Sequence, residues 1–159
     1  MPRLVVVLPL SPLQEGDSFA VKDWPLHITV LAPFHTEAEP AEVAEVIASV
    51  AALQPPVPVR AGRDEMFGRR ENIPVTVIDE QEALWRLRDA LVAGVRPLAT
   101  SPDEPAFTGS RFRPHITIKG DNRVHDGDEF TLGQIALVDM APRAAASGRT
   151  VLAAFPLGG

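Results

Sequence analysis

The chain has 159 residues, 45% of them apolar, no cysteine and a formal net charge of −6. The missing cysteine excludes disulfides, a thiolate nucleophile and cysteine-based zinc sites. The acidic balance argues against a protein that grips long duplexes through phosphate neutralisation, and no apolar run reaches the ~20 residues of a membrane helix. The length suits a single domain over residues 1–159, with the cytoplasm as the default compartment and a monomer as the favoured state. The opening MPRLVVVLPLSPLQ has no hydrophobic region followed by a small-residue cleavage site, so it reads as a first strand rather than a signal peptide.

In chain order, residues 4–8 (LVVVL) form an apolar, β-branched run that predicts a buried strand. Residues 17–24 are polar and loop-like. Residues 26–31 (LHITVL) are rich in β-formers and predict a second strand. Residues 40–53 predict a helix: Val43, Val46, Ile47, Val50 and Leu53 share one stripe, Pro40 suits the first turn, and Pro55, Pro56 and Pro58 end it. Strands are predicted over 57–67 and 73–78, then a helix over 80–95 with Leu84, Leu87, Leu91 and Val95 facing inward. Asp79 is its expected cap and Glu82 completes a capping-box pattern. Residues 96–112 hold Pro97, Pro102, Pro105 and Gly109 with little periodicity, and predict a long loop that could close over a site. Strands are predicted over 115–119, 130–138 and 150–155. Strands and helices do not strictly alternate, so an α+β domain with antiparallel sheet is expected.

Two phrases stand out, PLHITV at residues 25–30 and RPHITI at residues 113–118, in a chain with four histidines. Side chains on a strand alternate between faces, so His27 and Thr29 point one way, as do His115 and Thr117, each pair about 7 Å apart along its strand. The intervening isoleucine anchors the opposite face. Two imidazoles on opposite walls of a cleft make an acid–base pair: one ring accepts a proton while the other donates one. Phosphodiester cleavage needs both acts. The hydroxyls of Thr29 and Thr117 suit the non-bridging phosphate oxygens, and Lys119 adds a cation if it reaches them. A metal site built on His27, His115 and either His35 or His125 is the rival, but the chain has no His-Glu-x-x-His, and His35 and His125 sit beside turn-like residues. No Gly-x-Ser-x-Gly supports a serine nucleophile. No metal and no cofactor are therefore expected.

The basic residues are nearly all arginine. They cluster at Arg60, Arg63, Arg69 and Arg70 and again at Arg111, Arg113, Lys119 and Arg123, which fits a local anionic site better than a long nucleic-acid track.

With its paired motifs His27-Ile28-Thr29-Val30 and His115-Ile116-Thr117-Ile118, the chain resembles the 2H phosphoesterases, the 2′-5′ RNA ligase or LigT-like superfamily. HITVLAPF is similar to the first family motif and FRPHITI to the second. The resemblance implies a bilobal α+β fold of pseudo-twofold symmetry, with helices outside and a central cleft between two antiparallel sheets. It implies metal-independent cleavage of 2′,3′-cyclic or 2′-5′-linked nucleotides or RNA ends. By position, His27 and His115 become the acid–base pair and Thr29 and Thr117 the phosphate binders, with Lys119 in the place of a basic residue that many members carry slightly later. Phe34, Phe67 and Phe112 are candidates for stacking on a base, with core packing as the alternative for each. For a cyclic phosphate the reading leans toward His115 activating water and His27 protonating the departing ribose oxygen, although the sequence does not separate the two orders. Two other readings keep the same four residues: hydrolysis of cyclic oligonucleotide signals, and a non-catalytic module that holds a nucleotide phosphate. The expected partner is a small nucleotide or an RNA end, with no membrane and no long duplex.

Overall fold

The computed structural model describes residues 3–108, 112–140 and 148–158. Among these described residues, nine strands form two antiparallel sheets. The first holds β1 (Arg3–Pro9), β2 (Ser18–Phe19), β3 (His27–His35), β8 (Gln134–Asp139) and β9 (Arg149–Pro156) in the order β2-β9-β8-β1-β3. The second holds β4 (Val57–Phe67), β5 (Ile73–Ile78), β6 (His115–Thr117) and β7 (Glu129–Leu132) in the order β6-β5-β4-β7. Each histidine motif thus begins an edge strand, one per sheet, and β3 packs against β6.

Two long helices, α1 (Pro40–Leu53) and α2 (Glu82–Val95), pack on each other and on the strands. In α1, Val43, Ile47 and Ala51 are buried; Val46 and Val50 pack at the edge of the core, and the expected fifth stripe residue, Leu53, is 88% exposed. In α2 the expected stripe of Leu84, Leu87, Leu91 and Val95 is wholly buried. The predicted cap of this helix is corrected. Gln81 is the N-cap, its side chain accepting from the Ala83 N–H, while Asp79 pairs with Arg60 at 3.6 Å.

Three further expectations change. Residues 17–24 hold β2 and a 3-10 turn (Val21–Asp23) rather than plain loop. The 96–112 stretch carries a 3-10 turn (Arg96–Leu98) and a single helical turn, α3 (Pro105–Thr108); Gly109 lies outside the described residues. The single strand expected over 130–138 is two, divided at Gly133. β7 pairs with β4 in the second sheet, and β8 lies between β1 and β9 in the first. The apolar run is continuous, but β7 is buried only at Leu132 whereas β8 is buried at its four inner positions, because only β8 is covered on both faces.

One large core joins both sheets and the helices. Ile28 and Val30 of β3 enter it, and so does Ile116 of β6. A smaller core on the other face of the first sheet gathers Val5, Val7, Leu13, Trp24, Ala136, Val138 and Val151. The histidine and threonine side chains of β3 point to this second face, as strand alternation requires.

Candidate active site

The two edge strands present their motifs in matching fashion. On β3, His27 lies opposite Pro9 and Thr29 opposite Val7; on β6, His115 lies opposite Val77 and Thr117 opposite Val75. Both motifs show the same burial alternation: half-buried histidine, buried isoleucine, half-buried threonine.

Each imidazole is locked in the same way. His27 Nδ1 donates to the Pro25 carbonyl at 2.7 Å, and His115 Nδ1 donates to the Arg113 carbonyl at 2.8 Å. A carbonyl only accepts, so Nδ1 carries the proton and Nε2 of the neutral ring keeps its lone pair. Among the described residues neither Nε2 nor either threonine hydroxyl has a protein hydrogen-bond partner, and none of these atoms is sealed from solvent. Four polar groups therefore remain open to a ligand.

Each ring is also backed by an aromatic side chain that carries an arginine. Trp24 stacks on His27 with centroids 4.1 Å apart and planes at 25°, and the Arg149 guanidinium lies 5.1 Å from the Trp24 ring. Phe67 meets His115 edge-on at 4.7 Å, and Arg113 lies 4.9 Å from the Phe67 ring. Arg113 is fixed by Glu65, both of whose oxygens accept from it at 2.9 Å; this contact, with Arg63, holds the Glu65 carboxyl below its usual range.

The electrostatics are unequal. Burial pushes the His27 pKa from its ordinary 6.5 down to about 4, and the charges of Lys119, His115 and Arg149 act in the same direction. His115 is also lowered by burial, with Arg113 the one nearby charge acting on it. The contact between β3 and β6 brings the two motifs together, and His115 adds to the lowering of the His27 pKa.

Of the remaining sequence candidates, Lys119 reaches the site region but its ammonium donates to the carbonyls of Trp24 and Val21. It ties the segment bearing Trp24 to the end of β6. Phe34 is corrected outright. It is fully buried and packs on Phe107 at 5.6 Å, so no base can reach it. Phe67 and Phe112 both line a cavity of about 460 Å³ that also takes in Thr29, His115 and Arg113. The Phe112 ring further packs edge-on against Trp85 at 5.3 Å. His35 and His125 are exposed and do not line this cavity; His35 is bound to Glu104 at 3.2 Å. Among the described residues no group of three or more His, Cys, Asp or Glu side chains is gathered to hold a metal ion. Sequence reasoning missed Trp24 and Arg149. Trp24 could have been noticed just ahead of the first motif, whereas nothing in the sequence links Arg149 to His27.

The model of the 2′-5′ RNA ligase superfamily matches residues 7–141. The chain belongs to that superfamily. Among solved structures, TT0787 of Thermus thermophilus matches with a TM-score of 0.70 at 23% identity, over 99% of this chain and 98% of the other. Escherichia coli LigT complexed with 3′-AMP matches with a TM-score of 0.61 at 16% identity over the whole of both chains. The LigT complex with phosphate gives 0.60 at 16%, over 99% of each. At these identities the likeness establishes the shared α+β fold of two antiparallel sheets. No curated protein matches the sequence. Membership of the superfamily points to phosphodiesterase- or ligase-type chemistry, and no described helix is long and apolar enough to cross a membrane.

Proposed function

We propose that the protein is a metal-independent phosphodiesterase that opens 2′,3′-cyclic or 2′-5′-linked phosphodiesters on nucleotides or RNA ends by two-histidine acid–base catalysis. The observation that carries this reading is the matched pair of motifs on facing edge strands, each with an Nδ1-locked imidazole and a free hydroxyl two residues on. The fold shared with LigT, crystallised with 3′-AMP and with phosphate, supports a nucleotide phosphate as the bound group.

The electrostatics support one assignment of the roles. A general base must be neutral at working pH, and burial together with three neighbouring cationic groups keeps His27 neutral. Its Nε2 takes a proton from water as the water oxygen attacks phosphorus. The phosphorus–oxygen bond to the ribose breaks, and the protonated His115 ring gives its Nε2 proton to the departing alkoxide. The products are a phosphomonoester and a ribose hydroxyl, and the rings return their protons through solvent. This order reverses the one toward which the sequence leaned, and it reverses the regiochemistry of the product. Thr29 and Thr117 donate to the non-bridging oxygens, whose charge grows in the transition state. Before the reaction, the negative charge of the bound phosphate favours protonation of His115.

The test is hydrolysis of a 2′,3′-cyclic mononucleotide followed by chromatography, with and without EDTA. Turnover that survives chelation and disappears in His27→Ala and His115→Ala supports the proposal. Loss of activity on chelation, or robust turnover by either variant, overturns it. A cyclic dinucleotide assayed in parallel separates the signal-hydrolase reading, which the same four residues would also serve.

A further inference from the structure

Glu65, Phe67, His115 and Thr117 share one face of the second sheet. The register shows why: Glu65 pairs with Val75 and Val75 with Thr117, while Phe67 lies two residues beyond Glu65 on β4 and His115 two residues before Thr117 on β6. Arg113, just ahead of β6, reaches across this face. Its guanidinium donates to both Glu65 oxygens at 2.9 Å and lies 4.9 Å from the Phe67 ring, and the same ring meets His115 at 4.7 Å. Its carbonyl accepts the His115 Nδ1 proton at 2.8 Å. One residue therefore holds the imidazole through its main chain while Glu65 holds its side chain. Arg63 adds a second bond to Glu65 at 3.1 Å, and the carboxylate is the least exposed of the three groups.

The first lobe is built differently. His27 is locked by the carbonyl of Pro25, a residue without a side-chain charge. The cations near it, Lys119 and Arg149, hydrogen-bond only to backbone carbonyls among the described residues. The proposed base thus sits among cations with no carboxylate bonded to them, whereas the arginine beside the proposed acid is offset by a carboxylate of its own sheet. Surroundings that disfavour a charged ring suit a base, and surroundings that tolerate one suit an acid. The other charged groups around His115 are His27 on β3, and Arg88 and Glu71, which line the same cavity; β5 brings only Val75 and Val77 to this face beside β6, and Lys119 is bonded to the Trp24 and Val21 carbonyls.

We infer that Glu65 is a positioning residue for the reaction: by binding the Arg113 guanidinium beside Phe67 it fixes the segment whose carbonyl orients His115, and by offsetting that cation it lets His115 carry the proton it delivers. The inference rests on the acid role proposed above for His115. Glu65 itself does not line the cavity, whereas Arg113 and Phe67 do. Removing the carboxylate leaves the guanidinium unbalanced and makes the imidazolium less favourable. Removing the guanidinium instead leaves the carboxylate and makes it more favourable. The two partners of one ion pair act on the ring in opposite directions, which a purely structural contact would not do.

The experiment measures kcat/KM for a 2′,3′-cyclic mononucleotide against pH in the native protein, Glu65→Gln, Arg113→Met and the double variant. The alkaline limb reports the group that must be protonated. Glu65→Gln, which keeps the size of the side chain, should move that limb to lower pH by about 0.5–1 unit, and Arg113→Met should move it to higher pH, with the double variant near the native value. The same order should appear in the His115 pKa read by NMR of the free protein, with His27 moving less. Limbs that move in the same direction in both single variants, or that stay in place while turnover falls, reduce the pair to a structural brace and overturn the inference. Should Arg113→Met fail to fold, Glu65→Gln decides by the direction of its own shift: downward supports the inference, and upward or none overturns it. If no cyclic nucleotide is turned over, the histidine mechanism falls. The NMR titration of the same proteins then judges the positioning by itself, and a His115 pKa unaltered by Glu65→Gln overturns it.

Discussion

His27 is the residue on which the chemistry turns, and its surroundings make predictions of their own. The ring is kept neutral by burial beneath Trp24 and by nearby Lys119 and Arg149. Arg149→Met removes a cation and should raise the His27 pKa, which an imidazole titration followed by NMR would show; an unchanged or lower value would contradict the arrangement. The same depressed pKa has a consequence for stability. The folded protein holds His27 neutral down to about pH 4 whereas the unfolded chain protonates it near 6.5. Its contribution to stability is therefore complete above pH 6.5 and is lost as the pH falls toward 4, by up to about 3 kcal/mol. Urea unfolding across that window should show this loss, and a His27→Gln protein should show less of it. The threonines act on the transition state, and Thr29→Ala or Thr117→Ala should each lower turnover by about 10²–10³ while thermal unfolding changes little.

At the scale of the elements, β3 and β6 carry the site because one face of each is nailed into the large core. Ile28 is fully buried and Ile116 is 1% exposed. Ile28→Ala or Ile116→Ala should cost about 2–5 kcal/mol by denaturant unfolding. A loss well under 1 kcal/mol would mean the strands are held by something else. These elements also show what the sequence could and could not disclose. The alternation in HIT made both motifs legible, and α1, β4 and β5 lie over the residues that periodicity and proline placement predict. The split at Gly133 was hidden because a single apolar run serves two sheets, and no local signal marks where a chain leaves one layer for another. Phe34 looked available because a trailing aromatic after a motif has no visible burial; opposite Leu4 in the first sheet, it faces Phe107 in the core. The partnership of Arg149 with Trp24 joins residues far apart in the chain, a long-range contact that composition and periodicity do not encode.

The whole molecule sets two sheets so that their edge strands meet, and neither sheet alone holds both histidines. The second arginine-bearing aromatic, Phe67, comes from the β4–β5 hairpin of the sheet that carries His115. Lys119 links the lobes by donating from beyond β6 to the carbonyls before β3. Lys119→Met should therefore lower both thermal stability and kcat. A loss confined to substrate affinity would instead mean that its ammonium serves the phosphate.

The most direct measurement of the central claim is a titration of the protein with inorganic phosphate, watched through the ring signals of all four histidines by NMR. The account predicts that His27 and His115 shift together with one common Kd and a single phosphate bound, while the exposed His35 and His125 stay in place. Movement of only one of the two motif histidines, or two unrelated affinities, would contradict a shared site.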